Sequence, residues 1–173
     1  ILAVLKDNAI EVGAIWITHG HIDHAGGAME LKEALGGIEI VGPHEADKPL
    51  LANLEEQGRR YGISGARNCT PDRFLAEGDT VSFGDHVFEV FHCPGHAPGH
   101  VVYYNRAAQF AHVGDVLFHG SVGRTDLPGG DHAALLSSIR EKLLPLGDDV
   151  GFLCGHGPGG RFGEERRTNP FLV

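Results

Sequence analysis

Short apolar runs and strictly alternating ones divide this chain into a row of small elements. Ile1 to Asn8 has the apolar spacing of the end of an amphipathic helix, with Asn8 as a left-handed stop. A strand is predicted over Ala14 to Thr18. From Asp23 to Leu35, Ala28, Leu31 and Leu35 recur at helical spacing behind Asp23, and Gly36-Gly37 closes the run. Ile38 to Gly42, IEIVG, reads as a short strand, and a helix opens on Pro43 and runs to Asn53. The period then changes. DTVSFGDHVFEVFHC, from Asp79 to Cys93, alternates about a Gly84-Asp85 turn, and HVVYYN with QFAHVGDVLF makes a second pair of strands. Asp131 caps an amphipathic helix reaching Leu144, and GFLCG is a buried strand. Glu164 to Thr168 makes a last helical turn, stopped by Asn169-Pro170. Hairpins interleaved with helices, with polar clusters at strand ends, predict an α/β (α+β) fold of stacked sheet and helix layers.

Composition narrows the partners. With 173 residues, 42% hydrophobic and 21% charged, the chain suits one domain over residues 1–173. A net charge of -9 repels phosphate backbones, so no nucleic acid is expected and a small-molecule substrate is. No apolar run is long enough to cross a bilayer and no signal segment opens the chain, so no membrane partner and a cytoplasmic location are expected. Cys69, Cys93 and Cys154 are odd in number and lack a CxxC spacing, which predicts reduced, mostly buried thiols. Numbering that starts at Ile1 inside a helix-like run predicts a domain without its natural beginning. The oligomeric state is left open.

One segment stands apart: THGHIDHAGG, residues 18–27, holds an HxHxDH pattern. At the chain's own His and Asp frequencies, chance would place that pattern in about 0.004 of such sequences. Side chains alternate along a strand, so His19 and His21 project the same way, while Asp23 and His24 begin the following helix. Neutral imidazoles and carboxylates are ligands suited to Zn(II), Fe(II) or Mn(II), and four of them in one segment imply more ligands elsewhere. Strand-end loops supply them: His96 in CPGHAPGH, Asp115 in VGDVLF and His156 in LCGHGP, each flanked by glycine.

In that order, and across nearly the whole chain, these residues resemble the metallo-β-lactamase superfamily. GDVLF, GRTDLPGGDH, CGHGP and GEERRTNPF are similar to its small, single-domain glyoxalase II (hydroxyacylglutathione hydrolase) type. The resemblance implies a four-layer αββα sandwich, here missing its N-terminal strands. It implies a first metal on His19, His21 and His96, a second on Asp23, His24 and His156, and Asp115 bridging both. Zinc is the expected pair of ions, with iron or manganese as alternatives. The implied activity is a binuclear hydrolase that cleaves a thioester, such as glutathione-linked S-D-lactoylglutathione, by attack of a metal-bridging hydroxide. Asp23 and Asp115 would be its catalytic carboxylates. Two divalent ions make hydroxide available near neutral pH, so no serine or cysteine nucleophile is required.

Other residues are weighed against plainer roles. Arg124 suits a substrate carboxylate bidentately or a local pair with Asp126. Arg166 and Arg167 fit a charged helical face better than a glutathione contact. His44, His86, His92, His112 and His132 are expected to be structural or solvent-facing with no shared face, His100 a packed strand residue or a second-layer donor, and His119 a pocket residue less often than not. Two other classes stay open. A mononuclear iron persulfide dioxygenase would use His19, His96 and Asp115, and a truncated chain would bind metal without activity. CGHGP, which retains the second-site histidine, favours the hydrolase.

Overall fold

The computed structural model describes residues 1–173. Its centre is a six-stranded sheet. The hairpin β3 (Thr80–Phe83) and β4 (His86–His92) continues antiparallel into β5 (Val101–Asn105) and β6 (Phe110–Gly114). Strand β9 (Gly151–Cys154) lies parallel to β6, and β10 (Gly160–Arg161) closes that side. A second sheet is the parallel pair β1 (Ala14–Trp16) and β2 (Glu39–Val41), and β7 (Leu117–Phe118) with β8 (Ser121–Val122) forms a small separate hairpin.

Every residue of β5 is buried, which is why VVYYN carries no polar alternation: a strand covered on both faces has no wet side to show. Neighbouring side chains point to opposite faces, so Tyr103 and Tyr104 enter different cores. Tyr104 belongs to a fifteen-residue core with Leu135 of α6 (His132–Ser137), Ile139, Leu143 and Phe162 of α7 (Phe162–Thr168). Tyr103 belongs to a seven-residue core between the sheets, where Trp16 packs on Phe88 and Tyr103 at 5.4 Å each. A third core joins the small sheet to helices: Ile17 and Ile40 meet Ile22 and Ala25 of α2 (Ile22–Ala25), Ala28 of α3 (Ala28–Ala34), Leu51 of α4 (Lys48–Leu51) and Leu54 of α5 (Leu54–Tyr61). Three cores make four layers, helix, sheet, sheet, helix, and the expected αββα sandwich is the architecture found.

Several local expectations are corrected. The first helix, α1 (Leu2–Asp7), ends at Asn8, but Asn8 has a φ of -107° and the left-handed residue is Ala9, with a φ of +50°. The helix predicted over Asp23 to Leu35 divides at Gly26-Gly27 into α2 and α3, where two adjacent glycines weaken the helical backbone. The helix predicted from Pro43 to Asn53 is a His44-capped 3₁₀ turn (Glu45–Asp47) followed by the single turn α4. Helix α5 went unpredicted because Gly58 sits in its middle. A Cβ there would lie 2.8 Å from Ala66 and 2.9 Å from the Ile63 carbonyl, so close packing requires the glycine. The Asp131 cap is present, its carboxylate accepting the Ala134 N–H at 3.0 Å. After α6, however, the chain widens into a π segment (Ser138–Leu143) before Pro145 ends it in a 3₁₀ turn. Cys69 and Cys93 are buried and Cys154 half-buried, all free. No helix is long and apolar enough to cross a membrane.

Strands β4, β6 and β9 run the same way, so the loops that leave their C-terminal ends gather at one edge of the sheet. The loop after β1 is tied to that edge by the Val101 N–H on the Thr18 carbonyl at 2.8 Å.

Candidate metal centre

Four loops bring their polar residues together at this edge. His21 is the extended residue before α2, and Asp23 and His24 lie in that helix's first turns. No side chain of its own caps α2. Instead Gln57 of α5 accepts the Ile22 N–H at 3.0 Å and donates to the Leu50 carbonyl at 3.0 Å. His96 comes from the loop after β4, Asp115 from the turn after β6, and His156 from the loop after β9. In the middle of QFAHVGDVLF the strand breaks at Gly114, whose φ of +51° lies in the left-handed region. A Cβ there would be 2.6 Å from the His100 ring.

All seven residues singled out by the HxHxDH pattern and its companion loops meet. His21 Nδ1 is 2.9 Å from His96 Nε2, which is 3.2 Å from His19 Nε2. Beside them His156 Nε2 is 3.1 Å from Asp23 Oδ2 and 3.4 Å from His24 Nε2. Asp115 lies between the groups, with Oδ2 at 3.6 Å from His96 and 3.4 Å from His156, and Oδ1 at 3.4 Å from His24. The triads His19/His21/His96 and Asp23/His24/His156 each place one ligand atom per residue within 4.8 Å of the others, as does His19/His24/Asp115.

The chemistry of this set fits divalent cations. His96 Nδ1 donates to the Arg124 carbonyl at 2.8 Å, which leaves the Nε2 lone pair facing His19 and His21. Burial, reinforced by neighbouring imidazoles, holds His19 well below its ordinary pKa and lowers His21 to about 4. Burial lowers His96 as well, so these rings are neutral, the form that ligates. For Asp115 burial pushes the pKa up, but His24, with His96 and His156 near it, outweighs that and the net direction is down. Asp115 Oδ1 is buried without a well-formed hydrogen bond, an orphan that a cation would satisfy.

Five of the seven, His21, Asp23, His96, Asp115 and His156, line a cavity of about 590 Å³ together with the apolar side chains of Ile22, Tyr61, Ile63, Phe118, Val122 and Leu127. Arg124 lines it too, with its guanidinium in a two-point pair with Asp126 at 2.7 Å, so both of its expected surroundings are present. Arg166 pairs with Asp148 and the Leu144 carbonyl, and Arg167 with Asp148, a local role away from the cavity. His100 is the packed residue: fully buried, stacked on His19 at 4.6 Å, its Nε2 accepting the Asp115 N–H at 3.0 Å. His119 turns to Glu165 at 3.1 Å and does not line the cavity. His44 and His92, expected to share no face, stack on each other at 4.0 Å.

Sequence reasoning missed the supports. Glu165 and Asn169, inside the charged-looking GEERRTNPF, are both buried and hold the loop that carries β8. Glu165 accepts the Gly120 N–H at 2.9 Å, and Asn169 donates to the Ser121 carbonyl at 3.0 Å. Gln57 and Asp47 were missed for the same reason: each sits in a polar stretch with no local sign of burial.

The profile described as the Metallo-beta-lactamase superfamily matches residues 2–156. Hydroxyacylglutathione hydrolase GloC of Haemophilus influenzae is 46% identical over 169 residues, 97% of this chain and 79% of that one. The crystal structure of TTHA1623 in a di-iron-bound form superposes with a TM-score of 0.90 at 42% identity, covering 99% of this chain and 83% of the other. That of the BLEG-1 B3 metallo-beta-lactamase gives 0.89 at 37%, covering 99% and 82%. By profile, sequence and fold together, the chain belongs to the metallo-β-lactamase superfamily, as a glyoxalase II-like member.

Proposed function

We propose that this protein is a binuclear metal-dependent hydrolase of thioesters, with S-D-lactoylglutathione or a related small thioester as substrate. The observation that carries the reading is Asp115, a buried carboxylate whose oxygens reach ligands of both triads. The GloC relative supports the substrate class, and the di-iron form of TTHA1623 supports a two-ion site. His19, His21 and His96 would hold the first ion, Asp23, His24 and His156 the second, and Asp115 both. Zinc is the ion proposed, with iron or manganese as alternatives. When bound, such a pair supplies a nucleophilic water near neutral pH and polarises the substrate carbonyl.

The chain's own groups do the rest. Asp23 is half-exposed on the cavity side and 3.1 Å from His156, which supports a part for it in orienting the attacking water as well as holding the second ion. Neutral imidazoles keep the ligand set ready. The apolar lining would take the uncharged part of the substrate, and Arg124, by exchanging Asp126 for it, would bind a free carboxylate at two points. A thiol nucleophile is not needed and none is poised: burial pushes Cys93 up to about 12 and Cys69 up to about 11.

Against a mononuclear dioxygenase on His19, His96 and Asp115, the Asp23/His24/His156 triad would have no task. The likeness to BLEG-1 makes a β-lactam the second substrate class to assay. Zinc-loaded protein is expected to release thiol from S-D-lactoylglutathione well above the metal-free protein. Equal rates with and without metal would overturn the proposal.

A further inference from the structure

We propose that Asp47 is the positioning residue of the first metal cluster, a staple that holds the His19–His21 turn and the His96 loop at ligand spacing. The inference rests on the metal-centre reading above. Asp47 ends the 3₁₀ turn after β2 and is fully buried. Its Oδ2 accepts the Gly20 N–H at 2.8 Å, and its Oδ1 accepts the Gly99 N–H at 2.5 Å. Gly20 separates His19 from His21, and Gly99 lies three residues after His96. The same segment grips the second loop again, the His44 N–H donating to the Gly99 carbonyl at 3.0 Å. So one carboxylate joins the two loops that carry all three imidazoles of the first triad.

Both glycines are required for this approach. A Cβ at Gly99 would lie 2.5 Å from Asp47 N and 2.6 Å from the His44 carbonyl, and one at Gly20 would lie 2.8 Å from Leu50 Cβ and 3.3 Å from the Asp47 carbonyl. The other side of the Gly20 peptide is held as well, its carbonyl accepting from Gln57 at 3.3 Å.

A buried carboxylate with two amide donors and no ion pair is a poor choice for folding alone. Burial pushes Asp47 up to about 6 even though the Gly20 and Gly99 amides and nearby His44 oppose the rise. Its placement makes sense for another task. Imidazole nitrogens at 2.9 and 3.2 Å repel when their lone pairs converge, so the loops must be held together before a cation arrives. A staple on the backbone does this without occupying the coordination sphere.

Asp47→Asn separates that role from plain stability. The amide keeps the volume and one acceptor but turns an N–H donor toward another donor. The expected result is a metal-free Tm equal to or above that of the unsubstituted protein, with the zinc held by His19, His21 and His96 bound about 10- to 100-fold more weakly by chelator competition. Zinc affinity within about twofold of the parent's would overturn the proposal, as would a loss of affinity explained by a lowered metal-free Tm. If the variant does not fold, hydrogen exchange on the metal-free parent decides: protected Gly20 and Gly99 amides are expected, and free exchange at both overturns the staple. The parent protein also separates the two readings. If it binds no zinc, the metal-centre reading and the staple fall together; if it binds two and Asp47→Asn binds both alike, only the staple falls.

Discussion

His156 is the residue on which the second ion depends most plainly, because it meets Asp23 and His24 and reaches Asp115 from a separate loop. His156→Ala is expected to leave one ion on His19, His21 and His96 and to lower kcat for thioester hydrolysis about 100-fold. Metal analysis beside a rate measurement checks it; full activity with one ion per chain would contradict it. The buried rings also set a pH dependence. A histidine whose folded pKa lies below its ordinary 6.5 binds fewer protons folded than unfolded, so stability is lost as pH falls from 6.5 toward the folded value. For His21, held at about 4, that loss reaches about 3 kcal/mol by pH 4. His19, His96 and His100 are lowered by burial too, and act in the same direction. Asp47, raised to about 6, acts the other way, but it is one group against several. The Tm of metal-free protein should therefore drop steadily between pH 6.5 and 4, and a flat profile would contradict the buried, neutral cluster.

Helix α6 meets the site through the His96 loop, and the contact separates stability from metal binding. The Asp131 N–H donates to the Gly95 carbonyl at 2.8 Å while its side chain caps the helix. Asp131→Ala should cost about 1 kcal/mol, a few degrees of Tm in a chain this long, with metal content unchanged. Gly95→Ala should lose the first ion, because its φ is +135° and its Cβ would drive into the backbone of Leu135. Metal analysis and melting curves on both variants test this; two zinc ions per chain in Gly95→Ala would contradict it. The elements that were legible in the sequence are those whose signal is local: the Asp131 cap, the β3–β4 hairpin, the doubly buried β5 and the HxHxDH turn. Those that were not depend on tertiary contact. Gly58 reads as a helix breaker until Ala66 is packed on it, and Asp47 reads as one charge in PHEADK until two loops close over it.

Across the whole molecule the layers explain why the site survives on so few local constraints. Three separate cores fix the two sheets and their helices, and strands β1, β4, β6 and β9 deliver their loops to one edge, so seven ligands spread over 138 positions, from His19 to His156, converge without any long loop of their own. The cavity walls come from segments as distant as Tyr61 and Leu127, which no sequence spacing could pair. The central claim is that hydrolysis needs both triads filled and Asp115 between them. It is tested most directly by adding zinc stepwise to metal-free protein while following thiol release from S-D-lactoylglutathione. The account predicts little release up to one equivalent per chain and a rise that completes at two; full activity at one equivalent, or none at two, would contradict it.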